Sequence, residues 1–501
     1  MEPGWSAYDA TRTYDELLTE DGTPRPGCAQ VVRHLESLGS GLEDRQRAAA
    51  DVVRSLGITF TVYSDAGNID REWPVDVIPR IITADEWAGV EAGLIQRLAA
   101  LNRFVADLYG EQRVVADGVF PAELLRDSVN FRPQLRGIRP AGDLWIHICG
   151  SDLVRDADGR FHVLEDNLRV PSGVSYMLEN RAVSKRVFAD LFRDLDILPV
   201  DAYPHRLAGQ LAALSPRPVE APVLVVLTPG VHNSAYYEHV LLAQRMGAHL
   251  VEGQDLVVED DVLHMRTVGG LVRVDVLYRR IDDLFLDPEV FRADSVLGVP
   301  GLIGAWAAGN VTIANAPGAG VADDKVVYSY VPDLIRYYLD EEPTLANVPT
   351  WRCMDPDDRE YVLAHLDEVV CKPANESGGY GVTVGSQASP TELADVRKRI
   401  LDDPRNWIAQ PILALSTAPT LCDGVVSPRH VDLRPFVLSG PSPYVTAGGL
   451  TRVALREGSL VVNSSQGGGS KDTWIIDTAP ESDTEPTDTE PTDVDLREPA
   501  P

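Results

Sequence analysis

No apolar run in this 501-residue chain approaches the roughly 18 residues that a membrane span requires. The longest, around Val223–Leu227 and Gly301–Ala308, are the size of a strand or a loop. Basic residues are scarce: 45 Lys and Arg stand against 76 Asp and Glu, a formal charge of −31. Phosphate-backbone binding draws its affinity from basic neutralisation, and anionic membranes attract polybasic segments. Neither nucleic acid nor a membrane is therefore expected as a partner. The first residues, Met1-Glu2-Pro3-Gly4, lack the basic-then-apolar pattern of an export signal. The five cysteines (28, 149, 353, 371 and 422) are odd in number, and no pair has two-residue spacing. That argues against a disulfide framework or a cysteine zinc site. A cytoplasmic, reduced setting is the expectation.

What is present is ordinary globular composition, 44% hydrophobic and 24% charged, with length enough for about three domains. Residues 1–110 read as mainly helical. Thr83-Ala84-Asp85-Glu86 has capping-box spacing. Trp87, Val90, Leu94, Leu98, Leu101, Val105 and Leu108 then recur at helical steps, predicting an amphipathic helix of about 25 residues. Strand-like alternation starts near Asp143. Val223–Leu227, a helix over 234–246 and His249–Val251 form a βα unit, hence an α/β domain over 220–315. A further α/β region spans 325–410, and strands dominate 428–477. The last 21 residues, 481–501, hold eight acids and one base, with Thr-Glu-Pro-Thr-Asp twice in succession. This tail has almost nothing to bury and is expected to stay unstructured; it could also serve as an arm for a protein partner.

The segment 151–167 carries the first chemical signal. Asp158-Gly159 between alternating stretches predicts a two-residue hairpin loop. Ala157 then pairs with Arg160, and counting outward sets Asp152 opposite Glu165. Residues two apart in a strand share a face, so Asp152, Glu165 and Asn167 point one way. Asp166 and Arg155 point the other. Two carboxylates and an amide oxygen are hard donors. Bare, such carboxylates repel; a bound Mg²⁺ removes the conflict. Taken alone, a solvated surface hairpin accounts for the same residues equally well.

Val369–Pro373 reads as a buried strand with one lysine, Lys372. The loop Glu376, Ser377, Gly378, Gly379, Tyr380 and Gly381 follows, then a second strand. Backbone amides of such a loop can line phosphates, and Lys372 can add a point charge; a purely structural loop is the competing reading. Walker spacing and G-x-G-x-x-G are both absent, so neither a P-loop nor a dinucleotide fold is supported. Lys325, opening a helix, reads by itself as a surface lysine. Gln410-Pro411-Ile412 could contact an adenine edge or form a plain core strand. Asp432 and Arg434 share a strand face. Arg434 and Arg452 could neutralise a transferring phosphoryl group or pair with nearby acids. His232-Asn233 at a strand-to-helix turn, and Arg280 after a strand end, are candidate substrate contacts or else a helix cap and a domain interface.

Together these residues resemble the ATP-grasp superfamily with its parts in rotated order. Asp152 and Glu165-Asp166-Asn167 come first, then the α/β segment, Lys325, Lys372 with its loop, Gln410, Asp432-Leu433-Arg434, Arg452 and Asn463. The chain is similar to circularly permuted ATP-grasp proteins related to glutathionylspermidine synthetase. It is closer still to an uncharacterised bacterial branch, through 152–156, 163–176, 433–436, 448–452 and 463–474. Those synthetase relatives carry an Arg two residues before the magnesium Asp, where this chain has Gly150. A contact made there must come from elsewhere, with Arg434, Arg452 or Arg169 as candidates.

The implied fold class is α/β with α+β lobes: a circularly permuted ATP-grasp fold with an inserted pre-ATP-grasp α/β domain. The expected parts are a helical region (1–110), a C-lobe part with the magnesium ligands (111–215) and the pre-ATP-grasp-like domain (216–320). An N-lobe with the Gly-rich loop (321–410), the rest of the C-lobe (411–477) and the acidic tail (478–501) complete the chain. The resemblance implies ATP and Mg²⁺ as cofactors. Lys325 and Lys372 would lie on the phosphates with the loop, and Gln410, Pro411 and Ile412 at the adenine. Asp152, Glu165 and Asn167 would hold the metal, and Arg434 and Arg452 would serve the transfer. Arg169, His232, Asn233, Arg280 and Asn463 would face the substrate. The implied reaction joins a small-molecule or peptide carboxylate to an amine through an acyl phosphate. A phosphotransferase on the same site, or a non-catalytic nucleotide-binding scaffold, is the alternative.

Overall fold

A computed structural model of the chain describes residues 8–62, 69–376, 381–459, 462 and 468–477. Among these, ten strands form one large sheet. Its main path runs Ala346–Asn347, Phe161–Asn167, Ile148–Arg155, Val425–Arg434, Leu450–Val453, Gly469–Ile476 and Val75–Thr83. Every residue of Ile148–Arg155 and of Gly469–Ile476 is buried, because the sheet has a core on each face. Alternation divides the side chains between those cores. Ile475 and Val437 join the cluster built on the helix Ala84–Tyr109. Trp474, Ile476, Phe436 and Leu438 join the one built on the helix Val174–Val187. Thr83 caps the first of these helices, its side chain accepting from the Glu86 amide, and the apolar stripe read from the sequence lies in the core.

The strand Val75–Thr83 has no counterpart in the helical reading of residues 1–110. Its pattern hides it: Pro79 interrupts the run, and Asp76 and Arg80 are polar yet buried. It pairs in parallel with Gly469–Ile476 across an irregularity in register.

Two smaller units flank the sheet. Thr312–Ala314, Val276–Arg279, Leu224–Leu227 and His249–Val251 form a parallel four-stranded sheet, with the helix Tyr236–Met246 as crossover. The other unit is antiparallel, in the order Trp351–Arg352, Trp407–Pro411, Val369–Pro373, Thr383–Val384. It has a core of its own, in which Val369, Cys371, Trp407 and Ala409 meet Val362, Val396 and Ile400. Since strand neighbours alternate, filling that core with Val369 and Cys371 turns Lys372 to the opposite face. Trp407 and Ala409 do the same for Gln410. The sequence thus orients the lysine before any tertiary contact is made.

Candidate active site

The hairpin places Asp152 opposite Glu165, by a route the two-residue turn did not anticipate. Asp156 pairs with Arg160, leaving a three-residue loop with Gly159 at φ +78°, the left-handed position of a type I turn with a bulge. Its Asp156 carboxylate accepts from the amides of Asp158 and Arg160. That longer loop shifts the register by one, with Arg155 opposite Phe161. An irregularity at Leu164 shifts it back, so Asp152 faces Glu165 and Gly150 faces Asn167. Asp166 points behind the sheet, where Ser151 and Arg97 donate to it at 2.8 and 2.7 Å. Arg155 lies away from Asp152, bound to Glu86 at 2.9 Å.

Across from these oxygens stand the two lysines. Asp324 caps the short helix Lys325–Ser329, and Lys325 Nζ lies 3.4 Å from Glu165 Oε2 and donates to the Glu376 carbonyl. Lys372 Nζ donates to Gln410 Oε1 at 2.6 Å, and Gln410 in turn donates to Thr350 Oγ1 at 3.0 Å. Thr350 carried no signal in the sequence. Burial pulls the Lys372 ammonium down to about 8, against the pull of Glu165 and with the push of Lys325. Asn375 anchors the loop's foot, donating to Asn406 at 2.9 Å. Gly381 takes φ +72°, with Pro373 where a Cβ would point. Ser377, Gly378, Gly379, Tyr380 and Asn463 lie outside the described residues, as does the acidic tail. Pro411 ends the strand Trp407–Pro411, and Ile412 follows it.

Both arginines converge on Asp152. Arg434 grips it with two nitrogens, Nη2 to Oδ2 at 2.8 Å, and Arg452 Nη2 reaches Oδ2 at 2.6 Å. Arg452 is held from behind by Asp432, Nε lying 2.9 and 3.0 Å from its two oxygens. The sequence set Asp432 and Arg434 on one face without showing that Asp432 anchors Arg452. Burial would raise the Asp152 carboxyl, but the two guanidiniums hold it far below the usual range. Arg434 Nη2 also lies 3.9 Å from Glu165 Oε1. A Cβ at Gly150 would stand 3.4 Å from Arg434 Cδ and 3.3 Å from Pro171. Arg434 therefore passes over the glycine and fills the place where a residue-150 side chain would project.

Asp152, Asp432, Glu165, Lys325, Lys372, Arg434 and Arg452 bring four cations against three carboxylates, a net positive cluster in an acidic protein. For a metal, Asp152, Glu165 and Asn167 supply two carboxylates and an amide on one strand face. That is the hard-oxygen chemistry of magnesium. Among the described residues, no three His, Cys, Asp or Glu side chains gather to hold a metal by themselves, so the amide oxygen of Asn167 would have to complete the set. Asn167 Nδ2 donates to the Gly150 carbonyl at 3.1 Å, which leaves its oxygen as the available donor. Burial pushes the thiols of Cys28, Cys353 and Cys371 up to about 12, far from the thiolate a nucleophile requires.

Of the remaining candidates, Arg169 and Arg280 hold the units together. Arg169 bridges Asp323 at 2.6 Å and Asp282 at 2.8 Å, tying the hairpin's exit to the parallel-sheet unit and to the approach to Lys325. Arg280 is buried, donating to the Pro171 carbonyl at 2.7 Å and to Glu238 at 2.6 Å. His232 is exposed, and Asn233 closes the turn before the helix Tyr236–Met246, accepting from the Ala235 amide at 2.9 Å. No helix among the described residues is long and apolar enough to cross a membrane.

A glutathione synthetase-like effector from Globodera pallida, solved in its apo form, matches this architecture with a TM-score of 0.57. The match covers 86% of this chain and 96% of that one at 11% identity, so the likeness is one of fold. An uncharacterised protein of Synechocystis is 55% identical over 94% of this chain and 98% of its own length. Another from Mycobacterium tuberculosis is 50% identical over 94% and 86%. A Frankia alni protein with the provisional name glutamate–cysteine ligase is 47% identical over 92% of this chain. Only 54% of that relative is covered, so the chain spans about half the length of the protein that bears the name. The fold and the family profile define an ATP-grasp protein. The chain belongs to the circularly permuted ATP-grasp family, type 2, whose sequence profile matches residues 79–454.

Proposed function

We propose that this protein joins a carboxylate to an amine at the expense of ATP, through an acyl phosphate. One observation carries the reading: Lys325 from one wall and Arg434 from the other both approach Glu165, at 3.4 and 3.9 Å. Opposed cations around a hard-oxygen face suit a polyanion bound with a divalent ion. The substrate carboxylate attacks the γ-phosphorus and ADP leaves; the amine then attacks the acyl carbon and phosphate leaves. No covalent enzyme intermediate is needed. Lys325 and Lys372 hold the phosphates, and Gln410 fixes Lys372. Arg434 and Arg452 offset the charge that develops in transfer, and positioning with charge stabilisation provides most of such catalysis. Glu165, Asn167 and Asp152 would hold magnesium, which screens the phosphate charge when bound. The name of the longer Frankia relative suggests amino-acid-like substrates; that activity is the longer chain's. The intracellular setting expected from the cysteines suits ATP-dependent chemistry.

Calorimetric titration with magnesium ATP tests nucleotide binding. ADP release across pools of acids and amines, with mass spectrometry of the product, tests the chemistry. An amide and free phosphate are expected. Absence of nucleotide uptake overturns the reading, and a stable phosphoester replaces it with phosphotransfer.

The pH dependence follows from Lys372. Its ammonium is charged below about 8 and neutral above, so nucleotide affinity is expected to fall as pH rises through that value. Binding at higher pH should take up a proton, seen as a dependence of the measured heat on buffer ionisation enthalpy. Lys372→Gln is expected to weaken binding and flatten the profile.

A further inference from the structure

Asp152 is the most contested group in the charged cluster. A carboxylate offers about four lone-pair sites, and here Arg434 Nε, Arg434 Nη2 and Arg452 Nη2 all point at its two oxygens. Magnesium takes its oxygens at roughly 2.0–2.1 Å. A divalent ion on Asp152 would therefore face two guanidiniums bound to the same atoms, in a buried place where like charges repel strongly.

The two arginines differ in what else holds them. Arg452 keeps Asp432, a second buried carboxylate contacted through Nε at 2.9 and 3.0 Å and through Nη2. Among the described residues, Arg434 has no second carboxylate within hydrogen-bond range. Its other partners are the Ser172 carbonyl at 3.3 Å and Glu165 at 3.9 Å. Its stem passes over Gly150, so no side chain at 150 competes for that space. Of the pair, Arg434 is the one free to leave.

We propose that Asp152 is an exchange point: Arg434 grips its carboxylate in the nucleotide-free protein and yields it to the divalent cation that arrives with nucleotide. The released guanidinium turns toward the phosphates, while Arg452 stays anchored on Asp432. Arg434 thus stands in for the metal and, by occupying both oxygens of Asp152, disfavours capture of a bare cation. This rests on the ligase reading above and assigns separate tasks to the two arginines.

The test uses the full chain and Mn²⁺ without nucleotide, following free Mn²⁺ by electron paramagnetic resonance. Wild type is expected to bind Mn²⁺ weakly. Arg434→Gln, which unmasks Asp152, should tighten Mn²⁺ binding about tenfold, worth about 1.4 kcal/mol. Arg434→Lys keeps a charge but loses the two-pronged grip and should show a smaller gain. It serves as the second variant should the first fail to fold. Adding Asp152→Asn to Arg434→Gln should remove the gain and reports cation held elsewhere on the acidic surface. Unchanged or weaker Mn²⁺ affinity in the folded Arg434 variants overturns the exchange. Magnesium ATP binding by wild type is scored separately: its absence defeats the ligase reading, whereas its presence with no Mn²⁺ gain defeats only the exchange.

Discussion

Substrate-dependent ADP release is expected to fall about a thousandfold when Glu165 is replaced by glutamine, with the melting temperature unchanged. The substitution keeps shape and removes one charge. Glu165 faces Lys325 at 3.4 Å and Arg434 at 3.9 Å, and its side chain is 22% exposed, so few folding contacts are lost. What is lost is the carboxylate that balances the lysine wall and, in the proposed reaction, would offer a hard oxygen to the nucleotide's cation. Such a charge contribution amounts to several kcal/mol of barrier, and each 1.36 kcal/mol is a factor of ten. A second signature separates this from simple damage. Glu165 raises Lys372 against the effect of burial, so Glu165→Gln should move the fall in nucleotide affinity to lower pH. Turnover within tenfold of wild type would remove Glu165 from the site.

Arg80→Met is expected to cost about 3–5 kcal/mol of stability, the penalty for stranding a buried charge. Arg80 is fully buried on the strand Val75–Thr83. It grips Glu16 through Nε at 2.6 Å and donates to the Asp432 carbonyl at 2.9 Å. Methionine fills much of the volume but leaves Glu16, itself 2% exposed, with Arg155 at 3.7 Å as its remaining cation. Adding Glu16→Gln should restore part of the loss, because neighbours in one network are not additive. Midpoints of urea unfolding measure both effects. The pH dependence has a definite sign. Burial opposes ionisation of Glu16, yet Arg80 and Arg155 hold its pKa below the ordinary glutamate value. Its contribution is present above the unfolded value of about 4.3 and is lost as pH falls through the folded one. The double variant should lose that acid sensitivity. A urea midpoint unchanged in Arg80→Met would show that the ion pair does not carry the strand.

The path of Val75–Thr83 bears on how much of the fold can be read in advance. Buried charges disguise it: Asp76 is neutralised by Lys471, and Arg80 by Glu16. Hydrophobic periodicity misses a strand whose burial depends on partners 64 and 395 positions away. The helix that follows is legible, since its stripe and its cap lie within one segment. The hairpin falls between these cases. The two-residue turn was wrong by one residue, the irregularity at Leu164 was invisible, and the two deviations cancel, leaving Asp152 opposite Glu165.

Facing is what the sequence determined by itself. Glu165 and Asn167 share one strand face, Asp432 and Arg434 share another, and Lys372 turns away from its lobe's core. All of this follows from the two-residue period of extended backbone, a local covalent property. Proximity belonged to the tertiary structure. Only the pairing of strands remote in the chain sets Arg434 and Arg452 on one carboxylate and lays an arginine over Gly150, and only the packing of the helix Lys325–Ser329 brings Lys325 to Glu165. Those contacts join segments whose spacing in the chain carries no distance information, and their geometry is set by how the cores close around them.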